Sequence, residues 1–145
     1  MTFAMSNEER ETFLADVRIG ILSIEEAGRG PLAVPVWYDY ETGGDLWFVT
    51  DRDSKKGRLL AEGQRISLCV QTETPPYKYV SVEGPISEIS AADVESVTRP
   101  MARRYLGLEG GDAYIASTGG SEERGGSIVV RMAPSRWLTV DYTKS

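Results

Sequence analysis

The 145-residue chain has no histidine and one cysteine, Cys69. Without histidine there is no Ser-His-Asp triad, no Cys-His nucleophile pair and no histidine-ligated metal. One cysteine excludes an intrachain disulfide and a cysteine-rich zinc site. Cys69 alternates with Ile66, Leu68 and Val70, so it faces away from their side, partly accessible. Nothing nearby activates it, and it reads as a structural thiol. Cations are also scarce: 16 Lys and Arg against 22 Asp and Glu give a net charge of −6. That balance argues against nucleic acid, whose binding rests on phosphate neutralisation, and against anionic membranes. No apolar run approaches the roughly 20 residues that span a bilayer. The N-terminal MTFAMSNEERE is acidic and lacks the apolar core of a signal peptide, so a cytoplasmic protein is expected. What remains is 41% hydrophobic and 26% charged residues, the composition of one globular domain over residues 1–145. An enzyme so short of side-chain nucleophiles and bases would leave the hard chemistry to a cofactor.

The pattern is strand-rich. Ser6 with Glu9 forms a capping box ahead of a short helix over 7–15. Strands are predicted at 17–24, 32–40, 46–50, 65–72, 77–89, 127–132 and 137–142, from β-branched runs that alternate apolar and polar residues. In the second, Leu32, Val34, Val36, Tyr38 and Tyr40 share one face, and Ala33, Pro35, Trp37 and Asp39 the other. Pro35 cannot donate to a ladder, which makes this an edge or bulged strand with backbone groups open to a ligand. Thr42-Gly43-Gly44-Asp45 is a hairpin turn. Gly84-Pro85 marks a bulge or bend, Ser90 caps a helix, and Pro100 kinks that helix or starts another. Arg103 and Arg104 read as a solvated helix face and Arg65 as a surface strand charge. The glycine-rich stretch 107–126 is expected to be a flexible or partner-contacting loop with at most a short helix around Tyr114; the ordered core is then 5–142. Six or seven short-linked strands with peripheral helices predict a mainly β protein, an antiparallel sheet closed or split into a barrel.

The stretch DRDSKKGRLLAEG is unusual. Asp53 or Ser54 can cap a short helix ended by Gly63. Lys55, Lys56 and Arg58 crowd its first turn, the end that already carries partial positive charge. A bound anion would offset this, as would simple solvation of a basic surface helix. Gly57 inside it costs about 1 kcal/mol relative to Ala, which close approach of a ligand or another backbone would explain.

The segments VPVWYDYETGGDLWFVT, SKKGRLLAEGQRISLCVQ and PYKYVSVEGPI, in this order, resemble the pyridoxamine 5'-phosphate oxidase-like split β-barrel superfamily over residues 5–142. The most specific motif is Thr50-x(3)-Ser54-Lys55-Lys56-x(2)-Leu59-Leu60, followed by Arg65-x-Ser67-Leu68. Within the superfamily the chain is most similar to actinobacterial deazaflavin-dependent reductases, which use coenzyme F-420; related members use FMN or bind haem. The resemblance implies a homodimer with two cofactor sites at its interface. The cofactor phosphate would lie against Thr50, Ser54, Lys55, Lys56 and Arg58, and the ring along Val34, Pro35, Val36 and Trp37. Gln71, Lys78 and Tyr79 would approach from adjacent strands, with Lys78 or Tyr79 as proton donor, and Trp137 from the partner subunit. Core or dimer packing is the simpler role for Trp137. The cluster Arg52, Lys55, Lys56 and Arg58 exceeds the need of one phosphate and favours the polyglutamate tail of F-420 over FMN. The expected activity is hydride transfer from reduced F-420 to a conjugated small-molecule substrate. An FMN oxidoreductase, or a non-catalytic carrier of flavin, F-420 or haem, is the alternative.

Overall fold

The computed structural model describes residues 2–120 and 126–144. Among these residues there are eight strands: β1 (Gly20–Ile24), β2 (Leu32–Val36), β3 (Tyr38–Tyr40), β4 (Leu46–Asp51), β5 (Arg65–Gln71), β6 (Lys78–Ala91), β7 (Ser127–Met132) and β8 (Arg136–Asp141). The helices are α1 (Asn7–Ala15), α2 (Lys55–Leu59) and α3 (Arg99–Thr118), the last preceded by a π-helical turn over Val94–Thr98. The strand order is β2-β1-β5-β6-β7-β4-β3, with β8 also paired to β6. Every pairing is antiparallel. The two end strands, β2 and β3, are consecutive in the chain and separated only by Trp37. The fold is the split barrel, and the split runs past this tryptophan. The strand predicted over 32–40 is therefore two strands, which accounts for the extra one in the count.

Alternation builds the interior. Leu46, Phe48, Leu68, Val70, Val80, Val82, Val130 and Met132 point inward and are buried. Each such side chain contributes about 1.5–3 kcal/mol on leaving water. The long strand β6 ties the halves together, pairing with β5 and β8 along its first part and with β7 along its second. The irregularity in β6 falls between Ile86 and Glu88, not at Gly84-Pro85. Gly84 has another purpose: a Cβ there would strike the Ala133 carbonyl, so the turn from β7 to β8 crosses directly over it. The capping box of α1 is complete, with Glu9 N–H donating to Ser6 Oγ (3.1 Å) and Ser6 N–H donating to Glu9 Oε1 (2.8 Å). The fully buried Tyr38 fixes α1 against the barrel by donating its hydroxyl to the Leu14 carbonyl at 2.7 Å. Burial pushes the Tyr38 phenol well above its ordinary pKa.

Four readings of the sequence are corrected here. Ser90 lies in β6; the cap of the following turn is Asp93, which accepts from Ser96 N–H at 2.9 Å. Gly63 does not end α2, which stops at Leu59 with an extended Leu60; Gly63 sits at positive φ in the next turn. Residues 108–118, assigned to a flexible loop, are helical. Gly107 (φ 80°, ψ 172°) breaks α3, and the chain resumes as a second helical segment. A glycine-rich composition suggested a loop, but only Gly107 interrupts. Gly111 is inside the helix because a Cβ would meet the Arg103 backbone at 2.6 Å. The second segment is held to the first by Asp112, which accepts from Arg99 Nη1 (2.8 Å) and Arg103 Nε (2.9 Å). The remainder of the proposed loop, 121–125, lies outside the described residues. Finally, Arg104 is not a solvated face. It donates to the carbonyls of Tyr38 (3.2 Å) and Ala15 (3.0 Å) and pairs with Asp39 (3.2 Å), anchoring α3 to the barrel. Pro100 takes the first-turn position of α3, where its missing N–H is harmless.

Candidate functional site

Where the barrel splits, Trp37 faces outward and α3 packs across the outer wall. Trp37 stacks on Tyr105 of the first helical segment (ring centroids 5.2 Å apart, planes 9° apart). Tyr114 of the second segment meets Trp37 in a tilted contact at 5.2 Å. The Tyr105 hydroxyl donates to the Arg18 carbonyl (2.6 Å) and accepts from Tyr38 N–H (2.9 Å), so the backbone around Trp37 is held by α3. Burial raises the Tyr105 phenol above its ordinary pKa, which keeps it protonated for this role.

Two connected hollows border Trp37. The outer one, about 480 Å³, is walled by Ile19, Pro35, Val36, Trp37, Val49 and Tyr114, with Lys56 at its edge. It is a largely apolar slot with one cation. The inner one, about 230 Å³, shares Trp37, Val49, Lys56 and Tyr114 and adds a polar floor: Thr50, Asp51 and Ser54 from the β4–α2 turn, Thr98, Met101 and Thr118 from the helical layer, and Gly120 with Ser127. Together they form one cleft, apolar at one end and hydroxyl-lined at the other.

Local chemistry explains the β4–α2 turn. Ser54 is the cap of α2, its Oγ accepting from Gly57 N–H at 3.0 Å. The same Oγ donates to the Asp51 carbonyl at 2.8 Å. A serine hydroxyl has one proton, so in the 3.2 Å contact between Thr50 Oγ1 and Ser54 Oγ the threonine is the donor. Gly57 is required by a neighbouring backbone, since a Cβ there would strike the carbonyls of Asp51 and Arg52. The turn is a tight, fully bonded loop that holds Lys56 toward the cleft.

The predicted site residues divide. Pro35, Val36, Trp37, Thr50, Ser54 and Lys56 are brought together on the cleft. Val34 packs inward against the core. Lys55 turns away and pairs with Glu26 at 3.2 Å, and Arg58 folds back to donate to the Asp53 carbonyl at 2.9 Å. Arg52 does not border the cleft either, so Lys56 alone of the basic cluster does so. Gln71 and Tyr79 sit opposite each other on β5 and β6, Gln71 in a separate hollow with Cys69 and Ile21. Lys78 lies beside α1 and 3.9 Å from Asp141. Trp137 packs within its own chain, 6.2 Å from Tyr40 edge-on, with the Arg10 guanidinium 4.4 Å above its ring. Its packing role is thus observed, and it is not among the described residues that line the cleft of its own chain. Cys69 is half-buried, and this burial raises its thiol pKa and disfavours the thiolate. Arg65 pairs with Glu83 at 3.1 Å on the surface, as its position suggested.

Sequence reasoning missed Ile19, Val49, Thr98, Thr118, Ser127 and, as a cleft residue, Tyr114. Tyr114 and Thr118 depend on how α3 folds back at Gly107, which no local spacing announces. Among the described residues there is no cluster of carboxylates and cysteine suited to a metal, and no helix long and apolar enough to cross a membrane.

The profile of the pyridoxamine 5'-phosphate oxidase family matches residues 6–141. The chain belongs to that family. Among curated proteins, none matches the chain. Solved structures share the fold at low identity. A conserved hypothetical protein from Mycobacterium tuberculosis superposes with a TM-score of 0.71 at 23% identity, over 97% of this chain and 87% of that one. An F420 reductase superposes at 0.59 and 17% identity, over 88% and 94%. An FAD- and haem-binding protein from Mycobacterium smegmatis superposes at 0.62 and 16% identity, over 93% and 70%. The family includes oxidoreductases, and the last two of these neighbours are named for flavin-type cofactors.

Proposed function

We propose that the chain is a flavin-type oxidoreductase whose cleft binds a tricyclic cofactor by its ring at Trp37 and by its phosphate at Lys56. The observation that carries this reading is the polarity of the cleft. A flat ring suits the slot between Pro35, Trp37, Val49 and Ile19, where Pro35 presents no N–H to be buried. A phosphorylated chain suits the hydroxyl-lined end, where Lys56 supplies the countercharge. When bound, a flavin or deazaflavin supplies hydride exchange. The residues of this chain orient the ring and exclude water from one face; Tyr114 is part of the wall, and Tyr105 supports Trp37 from behind.

Coenzyme F-420 is the cofactor proposed, with transfer to an electrophilic conjugated substrate. Arg52, Lys55 and Arg58 remain exposed on the surface of the same turn and can meet an anionic tail leaving the cleft. A specific observation favours FMN as the second reading: Lys56 alone borders the cleft, enough for a single phosphate. Titration of the protein with F-420 and with FMN at low and high salt, followed by tryptophan quenching, decides between them. Tighter F-420 binding that weakens toward the FMN value as salt rises supports the tail contact. Tighter FMN binding at both salts gives FMN. Saturable binding without turnover of any enone by the reduced cofactor gives the carrier reading.

A homodimer belongs to the same proposal. Paired positions Ile21, Cys69, Ser81 and Leu138 form one row across β1, β5, β6 and β8. Ile19, Ile21 and Leu138 on this side are exposed, and Ile19 and Ile21 border the hollow that adjoins the cleft. A second copy seated there would cover them and bring its own side chains near the slot. Of the candidate donors, Tyr79 shares this face and would act across that interface, whereas Lys78 lies beside α1 and would not. Light scattering should give about twice the chain mass.

A further inference from the structure

The outer hollow is lined by Ile19, Pro35, Val36, Trp37, Val49, Lys56 and Tyr114. Four of these side chains are aliphatic and hold no polar hydrogen. The Trp37 indole N–H donates hydrogen bonds but does not part with its proton. Lys56 and Tyr114 are left as the side chains on this wall that can supply one, in a chain without histidine. In the cofactor reading, Lys56 is already the countercharge for the phosphate. The donors expected from the sequence stand elsewhere. Lys78 lies beside α1, and Tyr79 reaches a slot only across the proposed interface.

Tyr114 combines a fixed backbone with a free hydroxyl. Its carbonyl accepts from Ser117 Oγ at 3.0 Å and from Thr118 Oγ1 at 2.8 Å. Its neighbour Ile115 is buried, and Asp112 ties the same helical segment to Arg99 (2.8 Å) and Arg103 (2.9 Å). The ring meets Trp37 at 5.2 Å, tilted by 53°. Tyr38 and Tyr105, which hold the fold, donate their hydroxyls to main-chain carbonyls at 2.7 and 2.6 Å. Tyr114 is 39% exposed, and its hydroxyl has no hydrogen-bond partner among the described residues. It borders both hollows, where the apolar slot meets the hydroxyl-lined end.

We infer that Tyr114 is the acid that completes the reduction of a conjugated carbonyl compound in this slot. This rests on the oxidoreductase reading above and adds to it a catalytic side chain and a substrate class. The phenol donates a hydrogen bond to the carbonyl oxygen of an apolar α,β-unsaturated ketone or aldehyde. The β-carbon receives a hydride with its two electrons, the π electrons move toward the carbonyl, and negative charge collects on its oxygen. The Tyr114 O–H bond then breaks and its proton passes to that oxygen, giving the enol. Water reprotonates the phenolate, and the enol tautomerises to the saturated carbonyl compound after release. One hydride and one proton are added, with no reductant beyond the reduced cofactor. The aliphatic wall selects the apolar body of the substrate, and the phenol selects its oxygen.

The test compares Tyr114→Phe with the wild-type protein. The substitution keeps the ring against Trp37 and removes only the hydroxyl, so the melting temperature and the quenching titrations with F-420 and FMN should not change. At saturating reduced cofactor, cyclohexenone reduction should slow about a hundredfold, the lower end of what a general acid contributes. Nitrocyclohexene should react at the wild-type rate, because its product, a nitronate, is a stable anion that needs no acid in the site. A readout without turnover comes from para-nitrophenolate, a planar oxyanion that resembles the enolate. It should quench the tryptophan fluorescence of the cofactor-free protein and bind Tyr114→Phe about tenfold more weakly, the usual loss for a hydrogen bond to a charged group. Cyclohexenone reduction at the wild-type rate overturns the inference and leaves the oxidoreductase reading standing, and equal para-nitrophenolate binding does the same. Equal slowing with both acceptors makes Tyr114 a wall residue and overturns the acid role. Lys56→Ala at saturating cofactor should keep the wild-type ratio of the two rates; a ratio that falls there and not in Tyr114→Phe gives the proton to Lys56 and overturns it as well. If neither cofactor binds the wild type, or the bound cofactor reduces neither acceptor, the oxidoreductase reading falls and the acid role falls with it.

Discussion

Trp37 and Tyr38 are neighbours in sequence and opposites in surroundings. Tyr38 is wholly buried in the barrel, its hydroxyl donating to a main-chain carbonyl. Trp37 lies outside, partly exposed, between Tyr105, Tyr114 and the cleft. The contrast extends to the two layers they belong to. Inside, strands β4 to β7 supply close-packed apolar side chains. Outside, α3 adds a glycine break, a tilted aromatic and a latch of ion pairs. The interior holds the fold together by burial, and the outer wall is attached by fewer and more accessible contacts.

The sharpest way to break this division is to delete one large side chain from each layer. Phe48 is fully buried, and Phe48→Ala should cost about 3–5 kcal/mol, a large share of a typical domain's stability. Trp37→Ala should cost less than half as much, since part of the ring already meets water, yet it should abolish saturable cofactor quenching. Urea unfolding of both variants gives the comparison. Equal losses of stability would mean that the Trp37 wall is core, and the cleft would lose its claim to be a site.

The interior was readable because alternation is a local signal. Leu46 to Asp51 and Arg65 to Gln71 alternate between buried and partly exposed residues as the strand period requires. The Ser6–Glu9 box and the edge position of Pro35 are equally local. The cleft was half readable. Trp37, Thr50, Ser54 and Lys56 come from two short stretches whose geometry the turn chemistry fixes. Tyr114 and Thr118 come from a segment whose position depends on one backbone break at Gly107 and on Asp112 reaching back nine and thirteen residues to Arg103 and Arg99. Counting glycines made that segment a loop. Counting lysines made the turn a polycationic cluster, although adjacent helical residues point about 100° apart and Lys55 has a private partner in Glu26.

That last difference yields a smaller, cleaner test. Lys56→Ala should weaken a phosphate-bearing cofactor by about 1.5–3 kcal/mol, the worth of a charge-assisted bond. Lys55→Ala removes an exposed pair and should change affinity less than about twofold. Equal effects would show that charge near the turn matters and position does not, and would revive the cluster as a unit.

The smallest effect concerns the latch of α3. Hydrogen bonds from Arg99, and then from Arg103, hold the Asp112 carboxyl below its ordinary pKa. Glu95, also paired with Arg99, is lowered in the same way. A carboxylate whose folded pKa is depressed stabilises the fold at pH above its unfolded value and ceases to do so as pH falls through the folded one. The segment 108–118 should therefore loosen on the acid side of the carboxylate range, while the barrel interior does not. Asp112 is exposed, so solvent and salt screen the pairs and the change is slight. Hydrogen exchange, corrected for its intrinsic pH dependence, should show residues 108–118 losing protection relative to β6 between neutral pH and the acid side. Asp112→Asn should show the looser segment already at neutral pH, with less further change on acidification. Retained protection in that variant would assign the fold-back of α3 to Ile115 and Tyr114 packing, and the outer wall would then be held by the same apolar contacts as the interior.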